Sequence, residues 1–179
     1  ASAWAQTVNG VRLPAQGAKA AVVEIVEVSD FECPYCSKVQ STLEELKAAY
    51  PDTLRFVFLH QPLPFHDRAL PTALTSVVAQ KQGKFWGFKD AIFASQRTLS
   101  AESTRRIAVG MGLDAATLAM EVKKPDAVAF VEANRRVANA VGARGTPAFF
   151  INGTAVMGAW PAAAFKKIID IEVALAGDV

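Results

Sequence analysis

Cysteine is almost absent from this chain. Two occur in 179 residues, Cys33 and Cys36, three positions apart. That excludes a small fold held together by several disulfides. A cross-link closing so short a loop would also constrain the unfolded chain little, so the pair is read as chemistry rather than as a staple. Histidine is equally scarce, with His60 and His66 alone. A zinc site wants four ligands; only these two histidines could complete one, and both fall at or beyond the end of the next predicted strand. Neither sign of charge dominates, with 19 Lys and Arg against 17 Asp and Glu. Nothing there argues for nucleic acid or a membrane surface as partner. Lys123-Lys124 and Arg135-Arg136 are short basic pairs suited to a solvated helix face. No run approaches the ~20 apolar residues that span a bilayer, and the most apolar early stretch, Ala20 to Val28, carries Glu24 and Glu27. The start, Ala1 to Gln6, lacks the basic and apolar regions of a secretory leader. A leader has been removed, or the chain is part of a longer one. Internal repeats and low-complexity stretches are also missing.

What is present is a hydrophobic half, 51% of the residues, enough for a substantial core. Val8 to Gly17, with Asn9-Gly10 and Pro14, reads as loop or short edge strand. Ala21 to Ser29 reads as a buried strand, with Glu24 at its surface. From Pro34 the period becomes helical, with Val39, Leu43 and Leu46 on one face, until Tyr50 and Pro51. Leu54 to Leu59 is a second buried strand. Strand, helix and strand of this length form a βαβ unit with parallel pairing. From about Asp67 to Val141 the sequence predicts four or five short helices, with Asp67, Ser100 and Asp114 as N-caps and Pro125 in a first turn. Pro147 to Ile151 and Thr154 to Met157 read as strands joined by an Asn152-Gly153 hairpin turn. That turn also explains the Asn-Gly-Thr glycosylation sequon. Pro161 to Ala176 is a last amphipathic helix, carrying Phe165, Ile168 and Ile169 on one face.

The expected architecture is α/β: a βαβ…ββα mixed sheet with an inserted α-helical subdomain. The chain reads as a single domain over 1–179, with residues 20–62 and 143–176 forming the sheet unit and 63–142 the helical insertion.

The chemistry concentrates in Cys33-Pro34-Tyr35-Cys36, where a strand hands over to a helix. Free N–H groups and the dipole of a helix start favour an anion, here a thiolate. Pro34 suits the first turn because its missing N–H would have had no partner. Residues three apart on a helix have Cα atoms about 5 Å apart, inside the roughly 4.4–6.8 Å that a disulfide accepts. The pair can open and close with little backbone movement. Cys33, at the helix start, is expected to be the exposed nucleophile, and Cys36 to be buried. Glu27 is either a solvent-facing strand residue or a buried acid that relays the Cys36 proton. Phe85, Trp86, Phe88 and Phe93 read as helix core, Trp160 as packing, Arg144 as exposed and His66 as a turn residue.

Phe31-Glu32-Cys33-Pro34-Tyr35-Cys36 after Val-Glu-Val-Ser-Asp resembles the active-site segment of DsbA-type proteins of the thioredoxin superfamily. So do Gly145-Thr146-Pro147-Ala148-Phe149-Phe150-Ile151-Asn152-Gly153, the His60 to His66 stretch, and Gln82-Gly83-Lys84-Phe85-Trp86. The resemblance covers roughly Ala20 to Ile171. It implies a thioredoxin-like fold and an extracytoplasmic bacterial enzyme, expected in the periplasm, that forms or rearranges disulfides in other proteins. It also implies a cis Pro147 beside the cysteines, an acid at Glu27, and supporting roles for Pro34, Tyr35 and Thr146. The expected partners are proteins bearing thiols or disulfides. A redox protein, membrane-bound or not, would reset the site, and no cofactor or metal is required. Pro34-Tyr35 and Thr146 also resemble isomerase-type members. Oxidase, isomerase and reductase therefore stay open, as does a partner-binding or holdase domain that retains the motif.

Overall fold

Seven consecutive buried residues, Val23–Ser29, form a strand (β4) at the centre of the molecule. Strands and helices cover it on every side, so its sequence, Val-Glu-Ile-Val-Glu-Val-Ser, does not alternate cleanly between apolar and polar. The computed structural model describes residues 7–177; residues 1–6, read above for a leader, and 178–179 lie outside them. Along one edge β4 runs parallel to β5 (Leu54–His60), with Val23 opposite Leu54 and Ser29 opposite His60. Along the other it is antiparallel to β6 (Ala148–Ile151), which pairs with β7 (Thr154–Met157). The edge strand β3 (Ala15–Gly17) completes a five-stranded order β3-β5-β4-β6-β7. A separate two-stranded ribbon, β1 (Thr7–Val8) and β2 (Val11–Arg12), turns at Asn9-Gly10.

The hairpin between β6 and β7 is built on Asn152 and Gly153, both at positive φ. Asn152 does more than turn the chain. Its Oδ1 accepts the Glu24 main-chain N–H at 2.9 Å, tying the turn to the start of β4.

The helix predicted from Pro34 to Tyr50 is two helices, α1 (Pro34–Lys38) and α2 (Gln40–Ala49), broken at Val39. At the break the Cys36 carbonyl accepts the side-chain amide of Gln40 at 2.8 Å, a side-chain intrusion of the kind that bends helices. Five further α-helices stand between β5 and β6: α3 (Ala69–Lys81), α4 (Phe85–Ala94), α5 (Ala101–Gly110), α6 (Ala115–Glu121) and α7 (Pro125–Ala140), with a 3₁₀ turn at Gln96–Thr98. Ser100 and Asp114 cap α5 and α6, and Pro125 opens α7. Asp67 is not a cap: α3 starts after Arg68, whose N–H is taken by the Glu32 carboxylate at 2.6 Å.

The last helix, α8 (Ala162–Gly177), packs with α2 on one face of the sheet around Ile25, Leu43, Phe149, Phe165 and Ile169. The inserted helices cover the other face, around Val26, Val28, Phe58, Phe88 and Phe130. Two placements differ from the sequence reading. Glu24 is 7% exposed, not superficial, because a strand covered on both sides has no solvent face; Arg55 lies 3.7 Å away. Trp160 is 49% exposed, its indole N–H bonded to the Met157 carbonyl at 2.9 Å rather than packed in a core.

Candidate active site

The end of β4 and the start of α1 bring the two cysteines to the upper edge of the sheet. Cys33 is the N-cap of α1 with extended backbone, and Pro34 occupies the first turn. The Cys33 carbonyl accepts the N–H groups of Cys36 at 3.1 Å and Ser37 at 3.2 Å, which closes the first turn. Both cysteines are free thiols. Cys36 is fully buried. Cys33 is only 4% exposed, so it is recessed rather than open as expected. The 4% matters, because Cys36 has no exposed surface and Cys33 is the one of the pair that reaches the surface. Tyr35 between them is 61% exposed.

The two thiols are driven apart electrostatically. The Cys33 pKa falls from an ordinary 9.0 to about 6. The largest cause is the Cys36 thiol, which donates to it; Thr146 and the main-chain N–H groups of Cys36 and Tyr35 add to the fall, and burial opposes it. Cys36 moves well above its ordinary value. Burial is the main cause, and the neighbouring Cys33 adds to it; the Ser29 hydroxyl and the Asp30 main chain counter it only in part. One sulfur therefore holds an anion near neutral pH while the other holds the proton.

The peptide bond Thr146-Pro147 is cis, and it lies against this pair. As a thiol, Cys33 Sγ donates to the Thr146 carbonyl at 3.4 Å. The Thr146 hydroxyl is buried with no hydrogen-bond partner among the described residues, so it is free to serve the thiolate. Glu27 is 3% exposed and sits on β4 two residues before Ser29, so both side chains point to the same face of the sheet. Its Oε1 accepts Gln40 Nε2 at 3.0 Å, and the same amide reaches the Cys36 carbonyl. The solvent-facing alternative for Glu27 is thereby removed.

Several residues that hold the site were not singled out in the sequence. Asp30, 1% exposed, accepts from Glu32 N at 2.7 Å, from Leu63 N at 2.8 Å, and contacts His66 Nδ1 at 2.8 Å. His66 is therefore part of a clamp between the cysteine loop and the proline-rich loop, not merely a turn residue. Gln96 in the 3₁₀ turn donates to the carbonyls of Phe31 at 2.9 Å and Cys33 at 2.8 Å. His60 points into an aromatic cluster with Phe31, Phe58 and Phe85, where burial lowers its pKa to about 3. His60 lies among rings and His66 on Asp30, and no cluster of three or more His, Cys, Asp or Glu fit for a metal occurs among the described residues.

Residues 11–171 match a family described as thioredoxin. The chain belongs to the thioredoxin family. Within it, a thioredoxin-like oxidoreductase from Silicibacter pomeroyi is similar at 26% identity and a TM-score of 0.79, covering 88% of this chain and 90% of that one. The thiol-disulfide exchange protein alpha-DsbA2 from Wolbachia pipientis shares the fold at 20% identity and a TM-score of 0.78, over 88% and 86% of the two chains. Both share the fold of this chain over most of its length. Among curated proteins, the Na(+)/H(+) antiporter NhaA of Herminiimonas arsenicoxydans is 32% identical over 155 residues, which is 87% of this chain and 25% of the antiporter. The chain thus spans about a quarter of the length of the curated relatives it matches. No helix among the described residues is long and apolar enough to cross a membrane.

Proposed function

We propose that this thioredoxin-family chain is a protein thiol–disulfide oxidoreductase of DsbA type, acting outside the cytoplasm through Cys33 and Cys36. The observation that carries the reading is the opposed pair of thiols, one lowered to about 6 and the other raised, three residues apart at a helix start. A structural dithiol gains nothing from such a split. An exchange catalyst needs it, because the thiolate is the nucleophile and the better leaving group.

In the oxidising direction a client thiolate attacks Cys33 Sγ of the Cys33–Cys36 disulfide. The client–Cys33 bond forms, the Cys33–Cys36 bond breaks, and Cys36 departs and takes up a proton. A second client thiolate then attacks the client sulfur of the mixed disulfide. The client leaves with a new disulfide and the enzyme is left as a dithiol, two electrons richer. A second redox protein, which can be membrane-bound, must take those electrons back. A net gain of disulfides persists only in an oxidising compartment, which supports a periplasmic setting. Pro34 and Tyr35 shape the turn, Thr146 and Pro147 lie beside the reactive sulfur, and Glu27 exchanges the Cys36 proton. The helices α3–α7 form an insertion within one domain.

Replacing Cys36 by Ser removes the internal thiol that would resolve a mixed disulfide. Incubating Cys36→Ser with disulfide-bearing clients should give covalent complexes through Cys33 that dithiothreitol reverses. If no complex forms with any of several clients, the exchange reading fails.

A further inference from the structure

The inserted helix α4 carries a lysine that the exchange chemistry above does not use. Lys89 is 1% exposed, although its helix is otherwise apolar at that level. Its ammonium donates to Gln40 Oε1 at 2.5 Å and lies 3.0 Å from Asp90 Oδ1. The rings of Trp86 and Phe93 stand 5.7 and 5.5 Å from it. Burying an ammonium costs several kcal/mol unless it is well partnered, so a lysine here calls for a purpose beyond filling space.

The far side of Gln40 supplies that purpose. A lysine can only donate, so the atom of Gln40 facing Lys89 must be its carbonyl oxygen. The amide nitrogen is thereby turned the other way, where it donates to Glu27 Oε1 at 3.0 Å and to the Cys36 carbonyl at 2.8 Å. Without Lys89 the amide could flip and present its oxygen to Glu27, a repulsive contact for a carboxylate. Lys89, Gln40 and Glu27 thus form one polarised chain, from the insertion to the acid beside Cys36. A cleft of about 460 Å³ between α1–α2 and α4, lined by Ser37, Gln40, Ser41, Glu44, Asp90 and Phe93, brings solvent to the middle of it.

We propose that Lys89, acting through Gln40, is a positioning residue that holds Glu27 as the carboxylate which takes the proton from Cys36, and that the Gln40 cleft carries that proton to solvent. This rests on the exchange reading and extends it to the insertion. In the step concerned, Cys33 is bound to an outside thiol. The Cys36 proton passes to Glu27, Cys36 Sγ attacks Cys33 Sγ, the Cys33–Cys36 disulfide forms, and the outside thiol leaves with the electron pair of the broken bond. Glu27 then returns the proton through the cleft. The titratable groups around Glu27 are Cys36 on α1 and, beyond Gln40, Lys89 and Asp90 on α4, with Glu44 and its ion-pair partner Lys47 on α2 at the cleft. The neighbouring strands β5 and β6 place uncharged Phe58 and Phe149 opposite it.

The test is the rate at which the Cys33–glutathione mixed disulfide, formed from reduced protein and oxidised glutathione, expels glutathione as pH is varied. In Lys89→Met, a substitution of similar volume, the acid side of this profile should move to higher pH, with release slowed at least threefold on that limb. The pH dependence of Cys33 alkylation should stay where it is. In a Glu27→Gln background Lys89→Met should change nothing further, as expected when two residues act through one path. Gln40→Met cuts the same link and should give the same displacement, and it serves if Lys89→Met does not fold. An unmoved profile overturns the proposal, as does a pH-independent slowing that persists beside Glu27→Gln, since that is damage to packing. If the wild-type protein forms no mixed disulfide at all, the exchange reading fails first and this inference goes with it.

Discussion

Cys33 and Cys36 carry the same side chain one helical turn apart, and their difference comes wholly from surroundings. Cys33 keeps a thread of exposure and collects N–H and hydroxyl donors; Cys36 loses all contact with water. Brief iodoacetamide treatment of the reduced protein should therefore label Cys33 alone, with a pH midpoint of about 6. Labelling of Cys36 in preference, or a midpoint near the ordinary thiol value, would overturn the assignment. At this scale the cysteine pair was legible because position, proline and spacing all act locally. The orientation of Glu27 was open until Gln40 was seen to reach it. Lys89 was missed, although a signal existed: it lies four residues from Phe85 and four from Phe93, on the apolar side of its helix. Asp30 and Gln96 had no such signal, since their partners are distant in sequence or are main-chain atoms.

Elements meet at the active-site loop through short polar ties as well as through the packing of Phe31 against Phe58, Phe88 and Phe93. Asp30 at the end of β4 is the densest of the polar ties, joining Glu32, Leu63 and His66. Asp30→Ala would leave two partly buried main-chain N–H groups without an acceptor, each worth at most roughly 1–3 kcal/mol. Denaturant unfolding should show a loss of about 2–4 kcal/mol, and Cys33 alkylation should lose its sharp pH midpoint as the loop loosens. A stability change under half a kcal/mol would mean the clamp does not bear on the fold. The elements themselves were largely legible. The two central strands, the Asn152-Gly153 hairpin and the caps at Ser100 and Asp114 follow from local rules. The break at Val39 does not, because a Gln40 side chain makes it and residue 40 is an ordinary helix former. Asp67 looked like a cap, but the acceptor that anchors the start of α3 comes from Glu32, thirty-six residues earlier.

For the whole molecule, redox state and stability are one equilibrium seen from two sides. The Cys33 pKa is lower in the folded dithiol than in the unfolded chain, so the thiolate stabilises the reduced fold. That contribution is complete above about pH 9 and is lost as pH falls through about 6. Cys36, being raised, does not titrate within that window. The reduced form should lose about 2 kcal/mol relative to the oxidised form between pH 8 and pH 6. Closing a four-residue loop stabilises the oxidised form by a similar amount, about 2 kcal/mol. Paired thermal melts should therefore show the reduced form gaining on the oxidised form as pH rises through neutrality. A gap that ignores pH would contradict the thiolate assignment. The arrangement of sheet and helices was legible from strand order and proline breaks; the coupling of the insertion to the dithiol was not, because it runs through side chains that meet only in the folded chain. The claim on which all of this depends is that Cys33 and Cys36 pass a disulfide to another protein. Mass spectrometry of oxidised protein mixed with an equimolar reduced, unfolded dithiol client tests it most directly. The client should lose two hydrogens, this protein should gain two, and Cys33→Ser should abolish the transfer. A client that stays fully reduced, or one oxidised equally well by Cys33→Ser, would contradict the account.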